Sequence, residues 1–208
     1  GDDLRRIDWK VAARTDRYMV RRHESERRAH VQVILDSSGS MSFGTSAELP
    51  APWGGQQPGT KWSLACLAGL LLGFIARQRG DRVRFALTGD SAPDLAPVDG
   101  RGLAGLAAVA SQLTAVTPSG EAGLHWALAR SVGRPGSSLV IYIGDLLDEV
   151  DGLERLAQLR AAGAEVWVLQ VLDPAELDFP YEEPTRFVGL ECADELPMNP
   201  RDYADEVR

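Results

Sequence analysis

Asp36, Ser38 and Ser40 place one carboxylate and two hydroxyls at spacing i, i+2, i+4, directly after the mostly apolar run Val31 to Leu35. A tight turn can aim all three oxygens at one point. Such a set suits a hard divalent cation, which prefers oxygen ligands and keeps some of its water. The competing reading is a polar turn that caps a strand, with the serine hydroxyls bonded to nearby backbone. A second acid, Asp145, follows another apolar run, Ser138 to Gly144, in the same way.

Other chemistry is poorly served. The chain has no G-x-x-x-x-G-K-[ST] phosphate loop and no G-x-S-x-G nucleophile turn. Its histidines, His23, His30 and His125, are scattered. Ser38 as a nucleophile would need a base, and none is indicated. The two cysteines, Cys66 and Cys192, make neither a disulfide framework nor a zinc site, which suggests a reducing, cytoplasmic compartment. The apolar stretch from Leu64 to Ala76 is too short to cross a bilayer. A start at Gly1 without Met reads as a fragment, which leaves room for an anchor upstream.

Net charge is −8, which gives no general attraction to nucleic acid. The charge is uneven, with +3 over residues 1–30 and −11 over the rest. Residues 1–30 alternate sparse apolar positions, Ile7, Trp9 and Val11 among them, and read as a β-hairpin-like basic arm.

The elements that must position the oxygens follow from periodicity. Lys61 to Arg79 is apolar nearly all round, the pattern of a buried helix. Asp81 to Thr88 alternates as a strand, with a short edge strand near Asp94 to Val98. Helices are expected over Gly100 to Ala115, Glu121 to Val132 and Leu153 to Ala162, and a third buried strand over Glu165 to Leu172. Residues 173–187 read as a Pro-rich crossing segment, and Phe187 to Leu190 as a last edge strand. Strands alternating with helices mean an α/β protein with a mostly parallel sheet and helices on both faces. Right-handed crossovers set the 82–88 strand beside 31–36. Ser42 to Thr60, rich in Gly and Pro, is a long loop that would hang over the Asp36 turn and carries Trp53.

D-x-S-x-S after a strand resembles the metal-ion-dependent adhesion site of von Willebrand factor A (vWA) domains. The likeness sharpens elsewhere. G-D-D-x-R-R-I-D-W-x-x-x-A-R, then R-R-x-E-x-E-R, and later L-D-P-x-E-x-x-F-P-x-x-x-P-x-x-F resemble the bacterial DUF58 family, over effectively the whole chain.

The resemblance implies a Rossmann-like vWA fold over 31–175, the arm over 1–30, and a C-terminal crossing segment and tail over 176–208. It puts strand 138–144 on the other side of 31–36, so Asp36 and Asp145 flank one crevice. Two carboxylates there repel unless a positive charge joins them. By resemblance Asp36, Ser38 and Ser40 hold Mg²⁺ or Mn²⁺ directly or through water, and Asp145 acts through water. The family's threonine ligand falls at Ala122, which cannot ligate; either Ser119 or Glu121 substitutes, or binding is weak or lost. The implied role is a non-enzymatic protein-binding module that meets an acidic group on a partner, a MoxR-type AAA+ ATPase or its substrate. Met41 and Trp53 are the candidate contact residues in this sequence, Trp53 being either a contact or a cover on its own loop. No small-molecule substrate is expected. The alternatives are a Mg²⁺-dependent phosphohydrolase, which would want a second Asp where Ser38 stands, and a metal-free scaffold.

Overall fold

The first strand, β1 (His30–Leu35), lies in the middle of the sheet because its residues are apolar toward both faces. Val31, Val33 and Leu35 point into one hydrophobic cluster and Ile34 into another, as the two-residue period of a strand requires. The structure is a computed structural model describing residues 28–45, 59–89, 93–95, 98, 103–121, 123–129, 138–147, 150–181, 183–191 and 195–199. All but the end of the N-terminal arm, Trp53, Ala122 and Cys192 lie outside the described residues.

After β1 come a 3-10 turn (Gly39–Ser42), α1 (Lys61–Gln78), β2 (Arg82–Leu87), α2 (Ala104–Thr114), α3 (Leu124–Ala129) and β3 (Ser138–Gly144). Then follow α4 (Val150–Ala161), β4 (Glu165–Gln170), α5 (Pro174–Asp178), β5 (Thr185–Val188) and β6 (Glu195–Met198). The main sheet is parallel throughout, in the order β2-β1-β3-β4. Leu35 stands opposite both Leu87 and Ile143. The chain leaves β1 to one side for β2 and returns to the other for β3, so a crevice opens at the carboxyl ends of β1 and β3. This is a Rossmann-like α/β arrangement.

The two clusters lie on opposite faces. One gathers Val33, Leu35, Met41, Phe85, Val109 and Ile143 under α1 and α2; the other gathers Ile34, Leu124, Tyr142 and Leu156 under α3 and α4. Cys66 belongs to the first, and burial pushes its thiol up to about 12, which removes it as a nucleophile.

Several expectations need correction. α1 is not buried all round: Leu64, Leu67, Leu71 and Ile75 form an exposed apolar stripe, from 37% to 55% accessible. A sheet covers only one side of a helix, and α2 covers part of the next, leaving an apolar groove lined by Leu67, Leu71, Phe74 and Leu103. β4 is not a buried strand either; it has a single neighbour among the described strands, and Trp167 and Val168 are exposed. Of the short edge strand near 94–98, the described part is one antiparallel bridge, Val98 with Val83. Phe187 to Leu190 does not edge the main sheet. β5 pairs with β6 in a separate antiparallel ladder, and the crossing segment contains α5, a helix begun by Pro174.

Candidate metal centre

Asp36 is the first residue past β1, fully buried, and its backbone N–H still bonds Ile143 O at 2.9 Å. Both carboxylate oxygens are engaged. Oδ1 accepts from Ser38 N at 2.9 Å and Thr88 Oγ1 at 3.1 Å; Oδ2 accepts from the Tyr142 hydroxyl at 2.8 Å. These donors are all neutral. Thr88 also receives the Ser37 N–H at 2.9 Å, and its carbonyl accepts from Ser37 Oγ at 2.9 Å, which fixes the turn against the end of β2. A Cβ at Gly144 would crowd Asp36 Cβ at 2.6 Å and Oδ2 at 2.7 Å, so a glycine is needed for this close approach.

Ser38 is buried, Ser40 half-buried, and their hydroxyl oxygens stand 3.0 Å apart. Oxygens bound to Mg²⁺ at about 2.0–2.1 Å stand about 2.9 Å apart along an octahedral edge. The donor set therefore fits a hard divalent ion: one buried carboxylate with no cation beside it among the described residues, and two hydroxyls at an octahedral spacing. The loop after α2 is joined to this turn by backbone, Gly39 N to Gly120 O at 2.9 Å and Ser119 N to Ser37 O at 3.0 Å. Ser119 and Glu121 are exposed there, and neither side chain is brought against the serines by a described contact.

Asp145 lies where expected, buried at the end of β3, but its partner was not expected. Lys61 Nζ, itself buried, donates to Asp145 Oδ2 at 2.9 Å and to Glu176 Oε1 at 2.5 Å. The other oxygen, Oδ1, accepts from Leu147 N at 3.1 Å, a turn that carries Leu146 into the left-handed region at φ 64°. Gln170 Nε2 holds the Asp145 carbonyl at 3.0 Å. The positive charge that Asp145 needs is thus supplied by the chain itself. Met41, expected to touch a partner, is fully buried in the core; the 3-10 turn points its side chain inward, and it has no surface to offer.

A second set of contacts leads away from Lys61. Glu176 Oε2 accepts from Asp173 N at 2.7 Å and Asp173 Oδ1 from Ala175 N at 2.9 Å, the reciprocal capping of α5. Asp173 also receives Thr45, through Oγ1 at 2.6 Å and N at 2.9 Å. Thr45 is at the neck of the long loop, where Lys61 N bonds Phe43 O at 2.9 Å. Neck, cap and strand end form one polar chain.

Burial alone would push the Asp173 carboxyl up, but the Thr45 and Ala175 hydrogen bonds and the nearby Lys61 charge outweigh it and hold it below its ordinary 3.8. A depressed value in the folded state stabilises the fold above the unfolded value and loses that contribution as pH falls through the folded one. Asp173→Asn is therefore expected to trail wild type most at neutral pH. The gap should narrow below about pH 4, near the unfolded carboxylate value. Urea unfolding at several pH values from neutral into acid reads this, and a constant gap would remove Asp173 from the acid transition.

The functional residues that sequence reasoning missed are Lys61, Thr88, Tyr142 and the Asp173–Glu176 pair. Lys61 is a lone charge opening an apolar helix, and Tyr142 a lone hydroxyl in an apolar strand; each was a signal. D-P-A-E is a legible capping box with proline at its first helical position.

Among solved structures, the chain is similar to an aerotolerance-related membrane protein from Bacteroides fragilis, with a TM-score of 0.51 and 17% identity over 86% of this chain and 85% of that one. That likeness concerns the fold. By sequence it is similar to the uncharacterized proteins Rv1480 of Mycobacterium tuberculosis and Mb1516 of Mycobacterium bovis, each 28% identical over 186 residues. The match covers 86% of this chain and 54% of theirs, so the chain spans about half the length of these relatives. The family model described as "Protein of unknown function DUF58" matches residues 1–204, and the chain belongs to the DUF58 family.

Proposed function

We propose that this chain is a non-enzymatic binding module of the vWA type, which holds Mg²⁺ at Asp36, Ser38 and Ser40 and uses it to recognise an acidic group on a partner protein. The observation that carries the reading is Asp36: a fully buried carboxylate, hydrogen-bonded among the described residues by neutral groups alone, beside two hydroxyls 3.0 Å apart. A buried charge of this kind calls for a counter-charge. The bound ion would supply open coordination positions for an incoming carboxylate.

The chain's own residues do the rest. Thr88 and Tyr142 fix the Asp36 carboxylate, and the Gly39–Gly120 bond sets the turn. Lys61 neutralises Asp145, so the second acid of the crevice orients its surroundings and adds little charge to the ion. The hydroxyl of Ser38 stands where a phosphohydrolase of this kind would carry its second acid, which favours recognition over turnover. By the family resemblance the partner is a MoxR-type AAA+ ATPase or a protein on which it acts; the cysteine usage points to a cytoplasmic setting, with room for an anchor outside this stretch.

Thermal unfolding in EDTA and in millimolar Mg²⁺ or Mn²⁺ tests the centre. An ion at a hundred times its dissociation constant stabilises by about 2.7 kcal/mol, a shift of several degrees. The shift is expected in wild type and absent in Asp36→Ala. An equal shift in both would move the ion elsewhere, and none in either would end the metal reading.

A further inference from the structure

We propose that Glu191 is a built-in acidic ligand of this centre, so that the C-terminal segment keeps the site closed until a partner's carboxylate displaces it. The inference rests on the metal reading above and adds to it the chain's own ligand.

Two observations meet here. The first is contact. Gly39, in the middle of the D-S-S-G-S turn, packs so closely on the segment after β5 that a Cβ there would overlap the Leu190 carbonyl and come 3.2 Å from Glu191 N. The backbone of 190–191 therefore lies directly on the turn that carries Ser38 and Ser40. The second is an unmet need. Glu191 Oε1 is buried and has no hydrogen-bond partner among the described residues. A carboxylate only accepts, so what satisfies it must be a donor or a cation. Leaving such a group buried and unpaired is costly.

Charge balance joins the two. Asp145 and Glu176 already share the Lys61 ammonium. Asp36 and Glu191 both have buried carboxylate oxygens at the turn to which no described group brings positive charge, whereas Glu121 is exposed to water. Together they match the charge of one divalent ion. A site closed by its own glutamate would respond to an acidic partner by exchange of one carboxylate for another, with release of the 190–191 segment.

The test is titration of the full 208-residue chain with Mn²⁺ and Mg²⁺, followed by calorimetry and by the water-proton relaxation of bound Mn²⁺. Glu191→Gln is expected to bind the ion about ten- to a hundredfold more weakly, the scale seen when support for a metal ligand is lost. Its relaxation enhancement should rise as water takes the place of the carboxylate. Glu191→Asp keeps the charge one methylene further back, is expected to bind between the two, and serves if the amide disturbs the fold. Wild-type affinity and relaxation in both variants, with binding lost in Asp36→Ala, would overturn the role of Glu191 and leave the centre standing. No binding in wild type would overturn both.

Discussion

Lys61→Met is expected to lower the unfolding free energy by about 3–5 kcal/mol, the cost of leaving a buried charge without its partner. The side chains of Lys61 and Asp145 are 2% and 1% accessible, so water cannot replace the lost ammonium. Glu176, at 26%, is screened and contributes less. Urea unfolding at neutral pH measures the loss. The double variant Lys61→Met with Asp145→Leu should regain most of it, because an apolar pair of similar volume often replaces a buried ion pair without penalty. A loss under about 1 kcal/mol in the single variant would be the scale of an exposed pair and would mean that the ammonium is solvated in solution.

The second large effect is expected at Tyr142. This side chain is fully buried between β3 and α3, and its hydroxyl is the donor to Asp36 Oδ2. Tyr142→Ala removes an aromatic ring from a packed core and should cost about 3–5 kcal/mol. Tyr142→Phe keeps the ring and isolates the hydroxyl, at about 1–3 kcal/mol for a buried acceptor left short of a donor. Equilibrium unfolding of the two variants separates packing from support of the site. A phenylalanine variant as stable as wild type would mean that Asp36 Oδ2 finds another donor.

These two residues also mark what could be read in the chain and what could not. β1, β2 and β3 were legible because buried parallel strands are continuous or alternating apolar runs, and the turn after β1 was legible because its oxygens are two residues apart. Lys61 was not read, since its meaning lies in Asp145 and Glu176, far along the chain, and no local pattern encodes that meeting. Tyr142 faces the Ile34 cluster through the β1–β3 register, which pairs Ile34 with Tyr142; only that register lets the phenol reach Asp36. The exposed stripe of α1 was misjudged because composition reports how apolar a helix is, not how many neighbours it has. The cap of α5 is readable in D-P-A-E, but a Pro-rich composition reads as irregular chain unless the proline is placed at the first helical position.

The contact between Gly39 and Leu190 sets an order of assembly. A ribosome makes the D-S-S-G-S turn early and residues 190–191 near the end of this stretch. β1 must in the meantime wait for β3 before its second edge is covered, a non-local pairing across α1, β2, α2 and α3 that is slow to form. Until residues 190–191 are made, the backbone that packs on Gly39 is missing from the Asp36 turn. The last segment to arrive therefore completes the packing of the turn, and a chain cut short before it would leave Gly39 without that cover.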